Sequence, residues 1–590
     1  MATTALALLD QKFEQSRQVS SAEGDIVRAI MAEFTEMTIW RNTYAAQLEE
    51  AAALIWPEHR NTFYYGSFNW PGMKKTQQQV DASGMLALHR FAAITDSLLT
   101  PANYQWHGIE ADDDYVMKDR DTRLYFDAVT RILFKSRRNP IANFRGQNNS
   151  NWRSLGAFGN ATMFVDAFDG RDYHGIRGVR YRAVPFGETF FGENHQGLVD
   201  RIIRWFRMPA YQAAQRWGKD SLPQQLQAAI AAGSQWPYNF LHCVKPRADY
   251  DRGRYDAKGL PFSSHYVSIE GQCLMTPEGG YRKFPYAVSR YDQAPREVYG
   301  RGPAQMVLPA LKTLNAQKAT FLKQAHRAVD PVLLGADDGL TNTDFRPGAY
   351  NRGGVNKDGK KLIQTLETGN IQIAKEMMAE ERGIIDDMFL VTLYKVLSEH
   401  PNMTATQVIE LVNEKGILVA PTLGRQETYL GEMIEREIDI HVALGMLPPM
   451  PPRLREARGE YQVVYTSPLA LSQRAGKAAG FMRVVETAKE VVNITQDPSY
   501  LDWANFDVAL PAIARDQSVE EAWINGDKAI AQKRQSRAKQ KQAEMAIQAL
   551  PNQAAMISAQ AKMAKAQPGV TPGQPGFGGP SQPQQAPVPA

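Results

Sequence analysis

The sequence is poor in cysteine. Cys243 and Cys273 are the only two among 590 residues, and they form no Cys-x-x-Cys pair. Zinc clusters and disulfide scaffolds need more cysteines at closer spacing, so this scarcity argues against both. It is typical of a protein made in a reducing cytoplasm, which is where we expect this chain to be made.

Long apolar runs are absent as well. No segment approaches the roughly 18–20 apolar residues that a membrane-spanning helix needs. Residues 1–10 lack the basic region that begins a secretory signal peptide, and charged residues soon follow. We therefore expect no membrane span and no secretion through a signal peptide.

Motifs for catalysis and metal binding are missing too. The patterns GxSxG, HExxH and the EF-hand loop do not occur. Residues 354–361 match a phosphate-binding loop until the last position, where Lys361 replaces the Ser or Thr that binds magnesium. We interpret this segment as a basic turn and the acidic residues 112–114 as a solvated turn. We predict a protein that is not an enzyme, with no catalytic residue, metal or cofactor.

The net charge is small, at +4 for 590 residues. A domain that grips phosphate groups is usually strongly basic. The composition therefore argues against tight wrapping of nucleic acid, although it permits contact with DNA that slides past. Charge alone is equally compatible with no nucleic-acid partner.

The patterns that are present predict an α+β fold that is predominantly α-helical. Residues 1–160 have mostly helical periodicity, with helix expected to about residue 165, whereas residues 161–300 contain short β-like runs separated by Gly, Asp and Pro. Two long helical patterns follow, 303–329 and 370–397, on either side of a glycine-rich, basic segment with two candidate strands. Long helices flanking a small protrusion are typical of a structural stalk.

Several short motifs occur in an order that we can compare with known families. Residues 297–304 read Glu-Val-Tyr-Gly-Arg-Gly-Pro-Ala, with Tyr299, Gly300, Arg301, Gly302 and Pro303 at the centre. The other motifs are Leu-Ile-Trp-Pro at 54–57, Leu-Thr-Pro at 99–101, Trp152 with Gly156 and Gly159, Arg-Ala-Val-Pro at 182–185, Gly-Leu-Val-Asp at 197–200, Met-Thr-Ala-Thr-Gln-Val at 403–408, Leu-Gly-Arg at 423–425 and Tyr-Thr-Ser-Pro-Leu-Ala at 465–470.

This ordered series resembles the head-to-tail connecting (portal) family of short-tailed double-stranded DNA phages, over about residues 35–480. Residues 417–421, Ile-Leu-Val-Ala-Pro, depart from the family pattern because they interrupt an expected helix. The resemblance implies a portal fold with wing, helical stem, clip and crown, assembled as a ring of twelve copies around a channel at one capsid vertex.

The resemblance also implies an order of regions along the chain. They are a wing at 1–300 (residues 1–160 helical, residues 161–300 β-rich), stem helices at 301–329 and 370–397, a clip at 330–369, a tunnel loop and inner wing helix at 398–480, and a helical crown at 481–566. Residues 567–590 are rich in Pro, Gly and Gln, and this composition predicts disorder.

The implied role is a channel for DNA packaging and ejection, with the ring in the virion at the head–tail junction and in the host cytoplasm during assembly. The implied partners are further copies of the chain, major capsid and scaffolding proteins, the terminase large subunit, tail adaptor or tail tube proteins, and double-stranded DNA contacted without sequence readout.

Three sets of residues are expected to serve these partners. The DNA-channel candidates are Lys395, His400, Lys415 and Arg425. The candidates for lining the stem are Lys312, Lys318, Lys323 and Arg327. The candidates for the clip and adaptor interface are Arg346, Tyr350, Arg352, Lys357, Lys360 and Lys361.

Two other interpretations remain open. The near-match at 354–361 suggests an enzyme of nucleic-acid metabolism, which measurable ATP turnover would favour. The basic segment 533–541 and the Pro/Gly-rich tail suggest a nucleic-acid-binding structural adaptor or scaffold without a channel. A particle mass near twelve times 66.0 kDa would favour the ring.

Overall fold

The computed structural model describes most of the chain. The described residues are 21–65, 72–102, 105–168, 177–335, 344, 346, 348–350, 352, 354–355, 358–366, 371–392, 423–457, 459–496, 504–516, 523–526, 528–544 and 562. The chain divides into two compact units, residues 1–521 and 522–590.

The first unit is an α+β structure in which helices predominate. Its helices are α1 (Ser21–Ile55), α2 (Ser83–Leu99), α3 (Asp114–Met117), α4 (Arg120–Arg138), α5 (Phe144–Phe158), α6 (Ala210–Trp217), α7 (Gln224–Ala231), α8 (Pro303–Met306), α9 (Leu308–Val329), α10 (Ile371–Met388), α11 (Gln426–Ala443), α12 (Pro452–Glu456), α13 (Pro468–Thr495) and α14 (Phe506–Asp516). The second unit contains a helix at 528–544.

The strands are short and belong to several sheets. They are β1 (His107–Ala111), β2 (Asn160–Phe168), β3 (Gly178–Val184), β4 (Thr189–Glu193), β5 (Val199–Pro209), β6 (Pro237–Pro246), β7 (Phe262–Ser268), β8 (Cys273–Leu274), β9 (Gly279–Tyr281), β10 (Tyr286–Arg290), β11 (Asp292–Gln293), β12 (Gly300–Arg301), β13 (Leu333–Gly335), β14 (Ile363–Thr365) and β15 (Tyr461–Tyr465). The strand order is β10-β2-β3 in one sheet and β4-β5-β6-β7-β8 in another, where β9 also pairs with β7.

The main core lies between α2, α5, α11 and the three-stranded sheet. Trp152 and Phe158 of α5 are fully buried in it, together with Phe91 of α2. A second cluster joins Val27, Ile30 and Phe34 of α1 to the larger sheet, and a third packs α6 and α7 against the end of that sheet. The apolar faces of the helices thus meet the inward faces of both sheets.

The expectation that helix continues from 120 to 165 is wrong at its end. Helix α5 stops at Phe158 because Gly159 adopts a left-handed backbone conformation, with φ +69°, and its N–H donates to the carbonyl oxygen of Leu155 at 2.9 Å. A glycine with this geometry is a common helix terminator. The β2 strand begins at the next residue, Asn160.

Strand β1 pairs antiparallel with β15, and His107 lies opposite Tyr465. The pairing connects two segments that are far apart in the sequence, so the region after α12 folds back onto the helical region near the start of the chain. None of the helices in the described ranges is both long enough and apolar enough to cross a membrane.

Candidate functional site

The motif at 299–303 lies where two glycine-containing turns touch. A Cβ atom on Gly302 would lie 2.6 Å from the backbone nitrogen of Gly159, and one on Gly300 would lie 2.7 Å from the Gly159 carbonyl oxygen. Only glycine fits such contact without backbone movement. The close contact therefore explains why glycines flank Arg301.

Asn160 binds the backbone of Gly300 at the same contact between the two turns. Its Nδ2 donates to the Gly300 carbonyl oxygen at 2.8 Å, and its Oδ1 accepts from the Gly300 N–H at 2.8 Å. Arg301 forms an ion pair with Glu297 at 2.5 Å on the partly exposed side. Both backbone groups of Gly300 are therefore satisfied by one buried side chain, which fixes the start of α8.

Tyr299 anchors the motif in the core. Its ring packs edge-on against Phe191, with 4.7 Å between centroids, and the Arg41 guanidinium lies 5.2 Å from its centroid. Arg41 also stacks on Phe186 at 3.8 Å and donates to the Phe186 carbonyl oxygen. Burial lowers the pKa of Arg41 to about 10, because the nearby carboxylate of Glu49 offsets only some of the desolvation of the cation.

The long helix predicted from Pro303 to Val329 is divided near its start. Helix α8 ends at Met306, Val307 has a non-helical ψ of 13°, and α9 begins at Leu308. Pro309 has no N–H to donate to the carbonyl of Gln305, so the backbone hydrogen-bond series is interrupted there.

Helices α9 and α10 pack against each other. Each helix also contacts the segment 78–83 through one polar side chain. Asn315 of α9 accepts from the N–H of Val80 at 2.7 Å and donates to the Gln78 carbonyl oxygen at 2.9 Å. Arg382 of α10 forms an ion pair with Asp81 at 2.8 Å. Beyond Asn315, Phe321 still packs against the core, whereas residues 326–330 at the end of α9 are all exposed.

The two helices carry opposite charge. Helix α9 contains Lys312, Lys318, Lys323 and Arg327 and no acidic residue, whereas α10 contains five acidic and two basic residues. Lys312 pairs with Glu50 of α1 at 2.5 Å, and Lys318 is half-buried near the ring of Phe321. Lys323 and Arg327 are exposed and lie one turn apart on one face of α9.

Helix α10 exposes a row of large apolar side chains. Ile373, Met377, Ile384 and Met388 are 54%, 50%, 49% and 38% exposed, and their spacing places them on one face. An exposed acidic row lies beside it: Glu376, Glu380 and Asp387. Met378 and Ile385, on the adjoining face, are buried against the rest of the chain. Helix α10 thus has two apolar faces, of which the chain itself covers one.

The second long helix, predicted over 370–397, is interrupted at residues 389–390, and helix resumes at 391–392, where this described range ends. Helix α10 ends at Met388, and Leu390 adopts φ +59° while its N–H donates to the Asp387 carbonyl oxygen at 3.0 Å. Phe389 and Val391 are both fully buried. Residues two apart point in different directions on a helix, so the backbone leaves the helix in order to bury both.

The segment expected to be a clip contains a small hairpin. Strand β13 pairs antiparallel with β14, and Val355 pairs with Lys361 in an isolated bridge. The near-match to a phosphate-binding loop therefore leads into a strand, where a nucleotide site would require a helix. Five of the six clip candidates are exposed: Arg346, Tyr350, Arg352, Lys360 and Lys361. The sixth, Lys357, lies outside the described residues.

Of the four channel candidates, only Arg425 lies within the described residues. Its guanidinium donates to Asp292 at 2.6 Å and is more than half exposed. Lys395, His400 and Lys415 lie outside the described residues. The acidic cluster 112–114 caps a helix, because the Asp113 carboxylate accepts from the N–H of Tyr115 at 2.8 Å. Within the described ranges, no group of three or more His, Cys, Asp or Glu side chains is arranged to hold a metal ion.

A buried ion pair that sequence reasoning missed joins α4 to α11. The Arg137 Nε donates to the Glu437 carboxylate at 2.9 Å, and the two side chains are 3% and 0% exposed. Tyr181 of β3 donates its hydroxyl proton to the same carboxylate, and Arg137 Nη1 lies 2.6 Å from Nε2 of His107 in β1. Four distant segments therefore meet at one charged cluster.

In this cluster Arg137 is charged, whereas His107 at its edge is neutral. Burial alone would lower the pKa of Arg137, but the Glu437 carboxylate raises it above its ordinary value. Burial and the neighbouring Arg137 cation lower the pKa of His107 well below its ordinary value, so this imidazole is neutral and accepts from Arg137. A single sequence gives no signal for this cluster, since its members are separated by up to 330 positions and follow no local motif.

A family model and two similar sequences of known proteins agree with one another. A family model described as "Bacteriophage head to tail connecting protein" matches residues 27–524. The portal protein of Salmonella phage epsilon15 is 25% identical over 488 residues, covering 80% of this chain and 84% of that protein. The probable portal protein of Bordetella phage BPP-1 is 26% identical over 509 residues, covering 83% and 87%.

A solved structure described as "Neck of empty GTA particle computed with C6 symmetry" is also similar. It shares 13% identity with a TM-score of 0.32, covering 64% of this chain and 84% of that chain. This similarity is too low to support an argument.

Proposed function

The chain belongs to the bacteriophage head to tail connecting protein family, and on that basis we propose that it is the subunit of a phage portal. Copies of the chain form a closed ring at one capsid vertex, and double-stranded DNA enters and leaves the head through the central channel. The ring has twelve subunits and sits in the virion at the head–tail junction after assembly in the host cytoplasm. The protein has a structural role without catalysis.

The observation that carries this proposal is the second apolar face of α10. Ile373, Met377, Ile384 and Met388 form a row about 22 Å long, at 1.5 Å per residue. Large apolar rows bordered by polar residues are typical of interfaces between proteins. The occupant we propose is a second copy of this chain.

Charge complementarity indicates which surface of the second copy fits. The acidic row Glu376, Glu380 and Asp387 borders the apolar row on α10, while α9 is purely basic. In the ring, α10 of one subunit therefore packs against α9 of the next. This contact joins two different surfaces, so repeating it closes a ring when the rotation per subunit is suitable.

The remaining regions follow the family order. Residues 1–300 form the wing, α9 and α10 the stem, 330–369 the clip and 481–566 the crown. The clip, with Arg346, Tyr350 and Lys360 outward, meets the terminase large subunit and later the tail adaptor or tail tube. Capsid and scaffolding proteins contact the wing. Lys395, His400 and Lys415 line the channel, with Arg425 as the further candidate there.

A charge swap tests the stem contact. Lys323→Glu with Arg327→Glu places two carboxylates opposite the acidic row, and we expect the ring to dissociate to smaller species. Adding Glu376→Lys and Glu380→Lys should restore the ring, because the two rows are complementary again. Particle mass and negative-stain images provide the measurement.

The result also separates the interface from the channel lining predicted from sequence for Lys323 and Arg327. Rings that survive the double substitution would remove these residues from the subunit contact. Intact rings that fail to package DNA would assign the two side chains to the channel wall. A wild-type protein whose mass stays near 66.0 kDa would contradict the ring itself and favour the adaptor without a channel.

A further inference from the structure

The helix at 528–544 has almost no buried face. Every residue from 531 to 544 is exposed, and only Ala529 and Ile530 near its start are half-buried. Isolated helices of about this length are marginally stable in water, and most helices in proteins are stabilised by packing. This helix therefore lacks the usual source of stability in the described chain.

Its charge is concentrated and predominantly positive. The helix contains six basic residues and one acidic residue, which gives +5, whereas the whole chain has a net charge of +4. The remaining residues therefore sum to −1. The six basic residues are Lys528, Lys533, Arg534, Arg537, Lys539 and Lys541.

Three of these residues form a straight row. Lys533, Arg537 and Lys541 are spaced four apart, so they lie on one face over about 12 Å. Like charges four apart destabilise an isolated helix by a few tenths of a kcal/mol per pair. The row therefore opposes helix formation unless a negatively charged partner lies along it.

The opposite face is uncharged and small. Ala531, Gln535, Ala538 and Gln542 recur at helical spacing there. A helix that binds a membrane surface has large apolar residues on this face, and a protein interface is usually anchored by aromatic or large aliphatic side chains. This face has neither large apolar nor aromatic side chains, so charge is the only feature by which a partner can recognise the helix.

We propose that helix 528–544 binds double-stranded nucleic acid through its phosphate backbone, without sequence readout. A regular row of cations that releases counterions from phosphates is the ordinary basis of such binding. The site lies outside the stem, the clip and the channel candidates. It rests on the proposed function only in that a portal subunit meets packaged DNA, which is a polyanion.

The test compares two triple variants of the full-length protein. The row variant is Lys533→Gln, Arg537→Gln and Lys541→Gln, which keeps residues of good helix propensity. The matched control is Lys74→Gln, Lys219→Gln and Arg252→Gln, which removes the same charge from exposed positions elsewhere. The probe is a relaxed, covalently closed circular duplex, because closed circles cannot thread through a ring.

We expect the row variant to bind the circle at least tenfold more weakly than wild type at 0.1 M salt. Its plot of log affinity against log salt should also be shallower, by about 0.9 for each phosphate that the protein no longer neutralises. The control variant should stay within twofold of wild type. Particle mass is measured for all three proteins, so failure of the ring is separated from failure of this site.

Three outcomes would overturn the proposal. The first is unchanged DNA binding by the row variant. The second is an equal loss in both variants, which would indicate a net-charge effect. The third is wild-type binding to phosphatidylserine vesicles or to a polyglutamate peptide as tight as binding to DNA and lost in the row variant, because the site would then be a general anion surface.

Discussion

The buried pair of Arg137 and Glu437 should be the most sensitive point of the first unit. Arg137→Met removes both donors to a carboxylate that has no exposed surface and leaves it only the Tyr181 hydroxyl. Breaking a buried ion pair in this way destabilises a protein by about 3–5 kcal/mol, because an uncompensated charge stays buried. At about 2 °C per kcal/mol for a large domain, the midpoint of thermal unfolding should fall by about 6–10 °C.

A second substitution should recover much of this loss. Glu437→Gln in the Arg137→Met background removes the stranded charge and leaves an amide oxygen that accepts from Tyr181. We expect the double variant to lie within about 1–2 kcal/mol of wild type, so the two substitutions are coupled by at least about 1 kcal/mol. Circular dichroism during heating, checked against the urea midpoint, measures both variants.

A surface pair provides the matched control. Arg28 and Asp25 form an ion pair in α1 with side chains 72% and 69% exposed. Exposed pairs contribute little, so Arg28→Met should shift the midpoint by about 1 °C at most. If Arg137→Met shifts it equally little, or if the double variant melts as low as the single one, the reasoning about the buried charge is wrong.

Three further predictions concern other regions of the first unit. Gly159→Ala would place a methyl group 2.3 Å from the Gly302 nitrogen, so it should lower the free energy of unfolding in urea by about 2 kcal/mol or more. Gly24→Ala, where the space is open, should be neutral or stabilising. Equal effects of the two substitutions would refute the close-contact argument. Burial raises the pKa of Glu432 to about 7, so the folded state loses stability as the pH rises from about 4.5 to 7. The Glu432→Gln variant should therefore unfold at a higher temperature than wild type at pH 8 and at the same temperature at pH 4. A lower unfolding temperature of the variant at pH 8 would contradict this. Replacing 346–361 with a Gly/Ser linker should leave the particle mass unchanged and abolish adaptor binding, and normal binding in a pull-down would remove the clip from that interface.

Local patterns predicted local structure well. The two candidate strands expected between the long helical patterns are present as β13 and β14. These elements are determined by periodicity and turn residues that a single sequence displays.

Features that depend on distant contacts were missed. Strand β15 is recognisable only through its pairing with β1, and the break at Leu390 arises because Phe389 and Val391, two positions apart, are both buried. The end of α5 was missed for a different reason: Gly159 is a local signal for helix termination, but it was interpreted only as a member of a family motif. The residues 393–422 contain three of the four channel candidates and lie outside the described structure, so the channel assignment stays a prediction.

The attachment of α9 and α10 to the segment 78–83 has a mechanical consequence. Asn315 and Arg382 clamp one level of the helix pair, and α9 continues for about 21 Å from Asn315 to Val329 at 1.5 Å per residue. Because α9 and α10 pack together, a tilt of the pair by about 5° at this level moves the tip of α9 by about 2 Å over that length. Small rearrangements around residues 78–83 are therefore converted into displacements about as large as an atom at the far end of α9, without any change inside the two helices.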